Sequence, residues 1–333
     1  MAALFALLVV LACGIVAWLG AASGGGTFFG IVLPYLAAAV FLAGVVLRVL
    51  SWARRPVPFC IPTTGGQQKS LPWIAASPLD NPSGTWGVVG RMVLEVLTFR
   101  SLFRNTALRL DRTGPKVAYS SAKSLWLFAL LFHYALLVIL IRHLRFFFEP
   151  VPWCVRAVGF CDSLFEVGLP VLYVSDVLFL AALLYLLGRR LFDGRIMYIS
   201  LAQDYFPLFL LLGIAGSGLW MRYLDKVDAV AVKELVMGLV TFHPALPSHP
   251  LAPSFFVHLT LVCVLGLYFP FSKLMHLAGV FLSPTRVVPN MSRRARWVNP
   301  WNDPSITPHP YAAYEDEFRE KMLEAGLPVE KKA

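Results

Sequence analysis

Six apolar runs, at about 3–22, 28–50, 124–147, 168–188, 205–223 and 255–282, constrain this chain more than anything else in it. A hydrocarbon core roughly 30 Å thick takes about 20 helical residues at about 1.5 Å each. In lipid, peptide N–H and C=O groups must find partners within the protein, and a helix supplies them all internally. The chain is 58% hydrophobic and 14% charged, with a mean hydropathy of +0.67, outside the range of soluble domains. We expect an all-α integral membrane bundle of six transmembrane helices. No Lys or Arg precedes the first run and no convincing cleavage site follows it, so it is expected to be a retained anchor rather than a signal peptide.

The net charge of +10 reports orientation rather than nucleic-acid binding. With six spans, the connections at 51–122 and 189–204 and the tail after 282 share one side and hold 20 Lys and Arg, against three on the other side. The positive-inside rule then puts both termini in the cytoplasm. Four regions follow. Residues 1–50 form a transmembrane hairpin around Ser23-Gly24-Gly25-Gly26, without a histidine. Residues 51–122 form a cytoplasmic connection, Pro-rich at first and then apolar over 86–104, where Arg91, Glu95 and Arg100 point to an amphipathic helix at the interface. Residues 123–282 form a four-helix domain, and 283–333 a polar cytoplasmic tail containing Arg293, Arg294 and Arg296.

Four of the seven histidines fall in two of the spans. His133 and His143 are ten residues apart in one, His258 and His276 eighteen apart in the other. Imidazole suits a metal far better than it suits a lipid face. The two helices run antiparallel, which sets His133 and His276 at the cytoplasmic half and His143 and His258 at the external half. Their separations along straight helices are about 15 Å and about 27 Å. Eighteen residues is five whole turns, so His258 and His276 share a face, whereas His133 and His143 diverge by about 80°. Pro270 makes a kink between the second pair expected. One histidine in a spanning helix is more often an interior polar contact, but two pairs at matched depths point to two bis-histidine heme b groups. His243, His249 and His309 lie beside prolines outside the spans and are read as ordinary.

Several charges are misplaced for a lipid-facing surface. Arg142, Arg145 and Arg222 end helices on the external side, against the charge bias. They are candidates for heme propionates or a quinol, because a guanidinium forks onto a carboxylate; interfacial snorkelling is the simpler account. Lys273, three residues from His276, is the corresponding candidate at the inner heme. Asp176 is placed about a third of the way into the fourth span, either paired with one of those arginines or accepting a proton from quinol. Of the five cysteines, Cys154 and Cys161 share one external loop, as a disulfide or as free thiols, and no CxxC or CxxCH motif is present.

These residues resemble the respiratory nitrate reductase gamma-subunit family of diheme cytochromes b. Its two histidines ten apart and two eighteen apart match His133/His143 and His258/His276. The resemblance implies that His133 and His276 ligate the inner heme iron and His143 and His258 the outer. Ile61 to Pro72, Phe99 to Thr106, Pro270 to His276 and Ser283 to Arg286 further resemble the DsrM-type branch, the membrane subunits of DsrMKJOP complexes; the Pro270–His276 stretch resembles heterodisulfide reductase membrane subunits as well. The first helix and the long connection before the third depart from the nitrate reductase pattern, whose quinone-contacting lysine has no counterpart here. The resemblance implies a bacterial or archaeal cytoplasmic membrane, menaquinone or menaquinol as substrate, a DsrK-like iron–sulfur subunit as cytoplasmic partner, and DsrJ-, DsrO- and DsrP-like subunits nearby. The expected activity is electron exchange between menaquinol near the external face and that partner. Other quinone- or phenazine-linked reductases of nitrate or heterodisulfide type are the alternative. A transporter lined by Asp176, Arg222 and Lys273, or a non-redox anchor, is the alternative of another class, but no internal repeat supports transport.

Overall fold

The computed structural model describes residues 1–56, 77–111, 116–163, 171–290 and 309–331. Helices α1 (Ala2–Ala22) and α2 (Leu33–Ala53) form the first hairpin, with a π-helical turn at Phe28–Val32 leading into α2. Gly24 in the turn has φ +92, a left-handed conformation that costs least without a Cβ. The connection carries α3 (Thr85–Thr98), α4 (Arg100–Phe103) and an antiparallel hairpin of β1 (Thr106–Asp111) and β2 (Lys116–Ser121). Then come α5 (Lys123–His143), α6 (Trp153–Asp162), α7 (Val174–Phe192), α8 (Gly194–Ile199), α9 (Ala202–Trp220), α10 (Ala229–Val240) and α11 (Pro253–Tyr268). Short α12 (His276–Gly279) and α13 (Pro284–Val287) follow, and α14 (Tyr311–Glu324) lies in the tail.

α5 packs on α7, α7 on α9 and α9 on α11, while α1 lies against both α9 and α11 and α2 against α11. Among the described residues four apolar clusters hold the bundle together, two of them larger than the rest. Ala135, Phe179, Leu183 and Leu211 join α5, α7 and α9; Ala17, Phe29, Leu33, Ala37, Leu235, Phe255, Phe256 and Cys263 join α1, α2, α10 and α11. The outer faces remain apolar, with Leu8, Leu11, Leu42 and Leu47 exposed. That pattern is stable against lipid tails, where helix contacts are made by close packing rather than by escape from water.

Five described helices are long and apolar enough to cross a membrane, Ala2–Ala22, Phe28–Ala53, Lys123–Phe146, Ala202–Asp225 and Pro253–Phe271. The remaining expected span, 168–188, is not among these five. Its helix, α7, begins at Val174 rather than near 168 and carries Asp176, Arg189 and Arg190 at its ends. Its Phe179, Ala182, Leu183 and Leu187 are nonetheless buried in the bundle. The last span is also shorter than expected. α11 ends at Tyr268, passes through a 3₁₀ turn at Phe269–Phe271, and breaks at Ser272, which is extended (φ −114, ψ 177) and caps the following turn by accepting from Leu274 N–H. Pro270 removes a helical N–H and Ser272 offers a cap instead, so continuing the helix is the poorer choice.

The 86–104 stretch is two helices rather than one, divided at Phe99, whose φ is +51. Asp80 accepts from Arg100 and Arg104, Arg286 pairs with Glu95, and Asn290 Nδ2 donates to Asn81 Oδ1 at 2.8 Å. Together these stitch residues 77–104 to 286–290 as a polar collar at one end of the bundle. The stretch from Ile61 to Pro72 and Arg293, Arg294 and Arg296 lie outside the described residues.

Candidate functional site

The four histidines meet in two pairs. The His133 and His276 ring centroids are 6.1 Å apart with the planes at 82°. Those of His143 and His258 are 6.4 Å apart with the planes at 13°. A ring nitrogen lies about 1.1 Å from its centroid and a metal–imidazole bond is about 2.0 Å, so two rings ligating one metal from opposite sides stand about 6.2 Å apart. Both separations agree with that figure. The mismatch between about 15 Å and about 27 Å along straight helices is removed by the break at Ser272. It lets His276, at the start of α12, meet His133, which sits in the middle of α5.

Each imidazole is oriented through Nδ1. His133 lies 2.7 Å from Ala129 O and His143 2.7 Å from Ile139 O, each on the preceding turn of α5. His276 lies 2.9 Å from Lys273 O, and His258 3.1 Å from Ile214 O on α9. A nitrogen facing a carbonyl must carry the ring proton, which leaves Nε2 with a free lone pair in all four rings. Among the described residues no group of three or more His, Cys, Asp or Glu gathers as for a zinc or calcium site. Two neutral imidazoles per site, facing one another at this distance, leave four equatorial positions, and that donor set fits a heme iron.

Other contacts hold the pairs in place. At the His133 end, Tyr134 OH donates to Leu97 O at 2.8 Å and Trp126 Nε1 to Thr98 O at 2.7 Å. They fasten α5 to the end of α3, where the left-handed Phe99 sets its ring edge-on to His133 at 4.9 Å. A non-glycine residue at positive φ is strained and persists only where its surroundings enforce it. Lys273 does not turn toward the histidines; it forms a 2.6 Å ion pair with Asp204 of α9.

At the His143 end the charges form one buried cluster. Arg142 Nη1 donates to Asp162 at 2.8 Å, Ser175 at 2.8 Å and Asp176 at 3.0 Å, and Ser175 N–H donates to Asp162 at 2.8 Å. Asp176 is therefore in the first turn of α7 rather than a third of the way along a span, and it is paired with Arg142. Arg142 and Arg222 lie on Tyr173, 3.3 and 4.3 Å from its ring centroid. Arg222 Nη2 donates to Val171 O at 2.8 Å and Arg145 Nε to Arg142 O at 3.1 Å. Asp162 and Ser175 were not legible as site residues: Asp162 stands in an external loop sequence, and only the return of α6 onto α5 brings it to Arg142. Cys154 and Cys161 are exposed free thiols on α6. Seven residues of helix separate them by about 10 Å, beyond the span of a disulfide.

A bundle of apolar helices with facing histidine pairs defines a membrane protein of cytochrome b character. The chain belongs to the nitrate reductase gamma-subunit family, whose model matches residues 83–291. It is similar to the Hdr-like menaquinol oxidoreductase cytochrome b-like subunit of Archaeoglobus fulgidus, 48% identical over 289 residues that cover 85% of this chain and 86% of that one. The protein of the same name from Archaeoglobus profundus is 44% identical over 276 residues, 81% of each chain.

Proposed function

We propose that this chain is a diheme cytochrome b in the cytoplasmic membrane of a bacterium or archaeon, with six spans and both termini inside. It exchanges electrons between menaquinol near the external face and a cytoplasmic iron–sulfur subunit of the DsrK type, in a sulfur-metabolism respiratory complex resembling DsrMKJOP. The observation that carries this reading is the pair of imidazole separations, 6.1 and 6.4 Å, each fit for axial ligation of one iron. Menaquinol is supported by the name both archaeal relatives carry. Their Hdr-like qualifier favours, as a second reading, a partner of heterodisulfide reductase type.

When bound, two heme b groups supply one-electron transfer across the bundle. His133 and His276 would hold the inner iron, and His143 and His258 the outer. The protein fixes each ring's tautomer through a carbonyl on Nδ1, so that Nε2 always presents its lone pair. At the external end Asp176 takes up a quinol proton at its carboxylate, and Arg142 holds that carboxylate in place. Arg145 and Arg222 offer guanidinium groups to propionate or quinol oxygens. Lys273, 71% exposed in its side chain beside Asp204, offers a cation at the inner end.

The test is an optical spectrum and heme assay of the purified protein, followed by reduction with a menaquinol analogue. Two low-spin b-type hemes per chain, reducible by the quinol, are expected. A colourless preparation of folded protein overturns the proposal.

A further inference from the structure

Three of the four imidazoles rest Nδ1 on a carbonyl of their own helix or turn, at Ala129, Ile139 and Lys273. His258 does not. Its Nδ1 reaches across to α9, 3.0 Å from Ser217 Oγ and 3.1 Å from Ile214 O. Ser217 Oγ in turn donates to Ile214 O at 3.0 Å. With the ring proton on Nδ1 the triangle closes in one sense. Nδ1–H donates, and the Ser217 hydroxyl donates to Ile214 O while turning a lone pair to the ring. A hydroxyl already engaged as a donor accepts more strongly.

The backbone of α9 is shaped for this contact. A Cβ on Gly218 would stand 3.3 Å from His258 Cε1 and 3.6 Å from Nδ1. The ring therefore lies against α9 where that helix lacks a side chain, with the serine hydroxyl at its nitrogen. Among the described residues, Ser217 is the one side chain recorded within hydrogen-bond distance of Nδ1 in any of the four rings.

We propose that Ser217 is a positioning residue for His258 that sets the outer heme apart from the inner one. This rests on the diheme reading above. An acceptor on Nδ1 fixes the tautomer and makes Nε2 a stronger donor, which favours oxidised iron and lowers the reduction potential. All four rings have a carbonyl at Nδ1, and His258 alone adds a second acceptor, the Ser217 hydroxyl on a neighbouring helix.

The experiment is a potentiometric titration of the full-length protein as wild type, Ser217→Ala and Ser217→Thr, read optically and by EPR. The outer signal is assigned by its absence from His143→Ala. In Ser217→Ala the oxidised-to-reduced ratio of the outer heme at fixed potential should fall by roughly threefold to tenfold, tenfold being 59 mV for a one-electron couple. The inner heme should not move, and Ser217→Thr, which keeps the hydroxyl, should titrate like wild type. Loss of the outer heme from Ser217→Ala alone also supports the proposal, since removing such a partner weakens metal retention by roughly 10–100-fold. An unmoved outer potential in Ser217→Ala, or equal shifts in both variants, overturns it and leaves the diheme reading intact. A wild-type protein without heme overturns that reading first.

Discussion

His143 and His258 face one another across 6.4 Å with their planes only 13° from parallel, although they come from different ends of the chain's last two-thirds. His143 is the last residue of α5 and His258 lies near the start of α11. Replacing either with alanine should halve the heme content, from two per chain to one, while the remaining low-spin signal persists. A pyridine hemochrome assay gives the count; two hemes retained in both variants would remove these residues from the coordination sphere.

The inner pair differs in geometry. The His133 and His276 planes are crossed at 82°, held so by Phe99 against one ring and by the Lys273 carbonyl against the other. In low-spin ferric iron, crossed axial rings leave the metal orbitals nearly degenerate and give a highly anisotropic EPR spectrum, whereas parallel rings split them. Two distinct signals are expected, and His276→Ala should abolish the more anisotropic one. Loss of the less anisotropic signal in that variant would reverse the assignment.

Arg142 lies between two carboxylates, with 8% of its side chain exposed against 6% for Asp162 and 15% for Asp176. Removing one partner of a buried ionic group leaves the others uncompensated, at about 3–5 kcal/mol. Arg142→Met should lower the unfolding temperature substantially, and adding Asp162→Asn should recover part of the loss. If the single variant unfolds like wild type in detergent, the cluster contributes little to the fold.

How much of this could be read from the sequence depends on how local each feature is. The helices and the histidine spacing were legible because apolar runs and imidazoles in them are properties of one segment at a time. The break at Ser272 was half visible, since Pro270 announced a kink but the Ser272 cap depends on how the chain turns back toward α5. The pairing of Asp176 with an external arginine was anticipated, whereas Asp162, Ser175 and Ser217 were not visible. Their partners lie tens of residues away, and ordinary serines and aspartates carry no spacing signature. The Lys273–Asp204 ion pair was not visible for the same reason, since Asp204 lies on another helix. The β1–β2 hairpin escaped notice because its strands lie between stronger helical signals.

The collar of residues 77–104 and 286–290 should respond to acid. The hydrogen bond from Arg100 holds the Asp80 carboxyl well below the usual range, with Arg104 and Ser77 adding to it. Burial alone would raise Glu95, but hydrogen bonds from Ser101 and Arg286 outweigh it and its pKa is lowered. For a carboxyl depressed in the folded state, stability is fully present above its unfolded value, about 4, and is lost as pH falls through the lower folded value. Protection from hydrogen exchange over residues 77–104, relative to the intrinsic rate at each pH, should therefore be flat from neutral pH down to about 4 and fall below it. Asp80→Asn should show faster exchange already at neutral pH. Protection that falls on raising the pH instead would contradict the sign.

A final prediction concerns Gly44 on α2, far in sequence from the histidines. A Cβ there would stand 2.6 Å from Pro270 Cβ and 2.8 Å from its Cγ, closer than real side chains approach. Pro270 is fully buried and its ring cannot swing aside, so α2 or the 269–271 turn must move. Forcing atoms into a packed contact costs about 1–3 kcal/mol. The displaced turn leads directly into Ser272 and His276, whereas His258 lies three turns back along α11. Gly44→Leu should therefore lower stability and weaken the inner heme signal, leaving the outer one at wild-type strength. Loss of both signals together would mean that the bundle as a whole had failed. Loss of neither would mean that α2 yields freely and that the Pro270 turn does not depend on it.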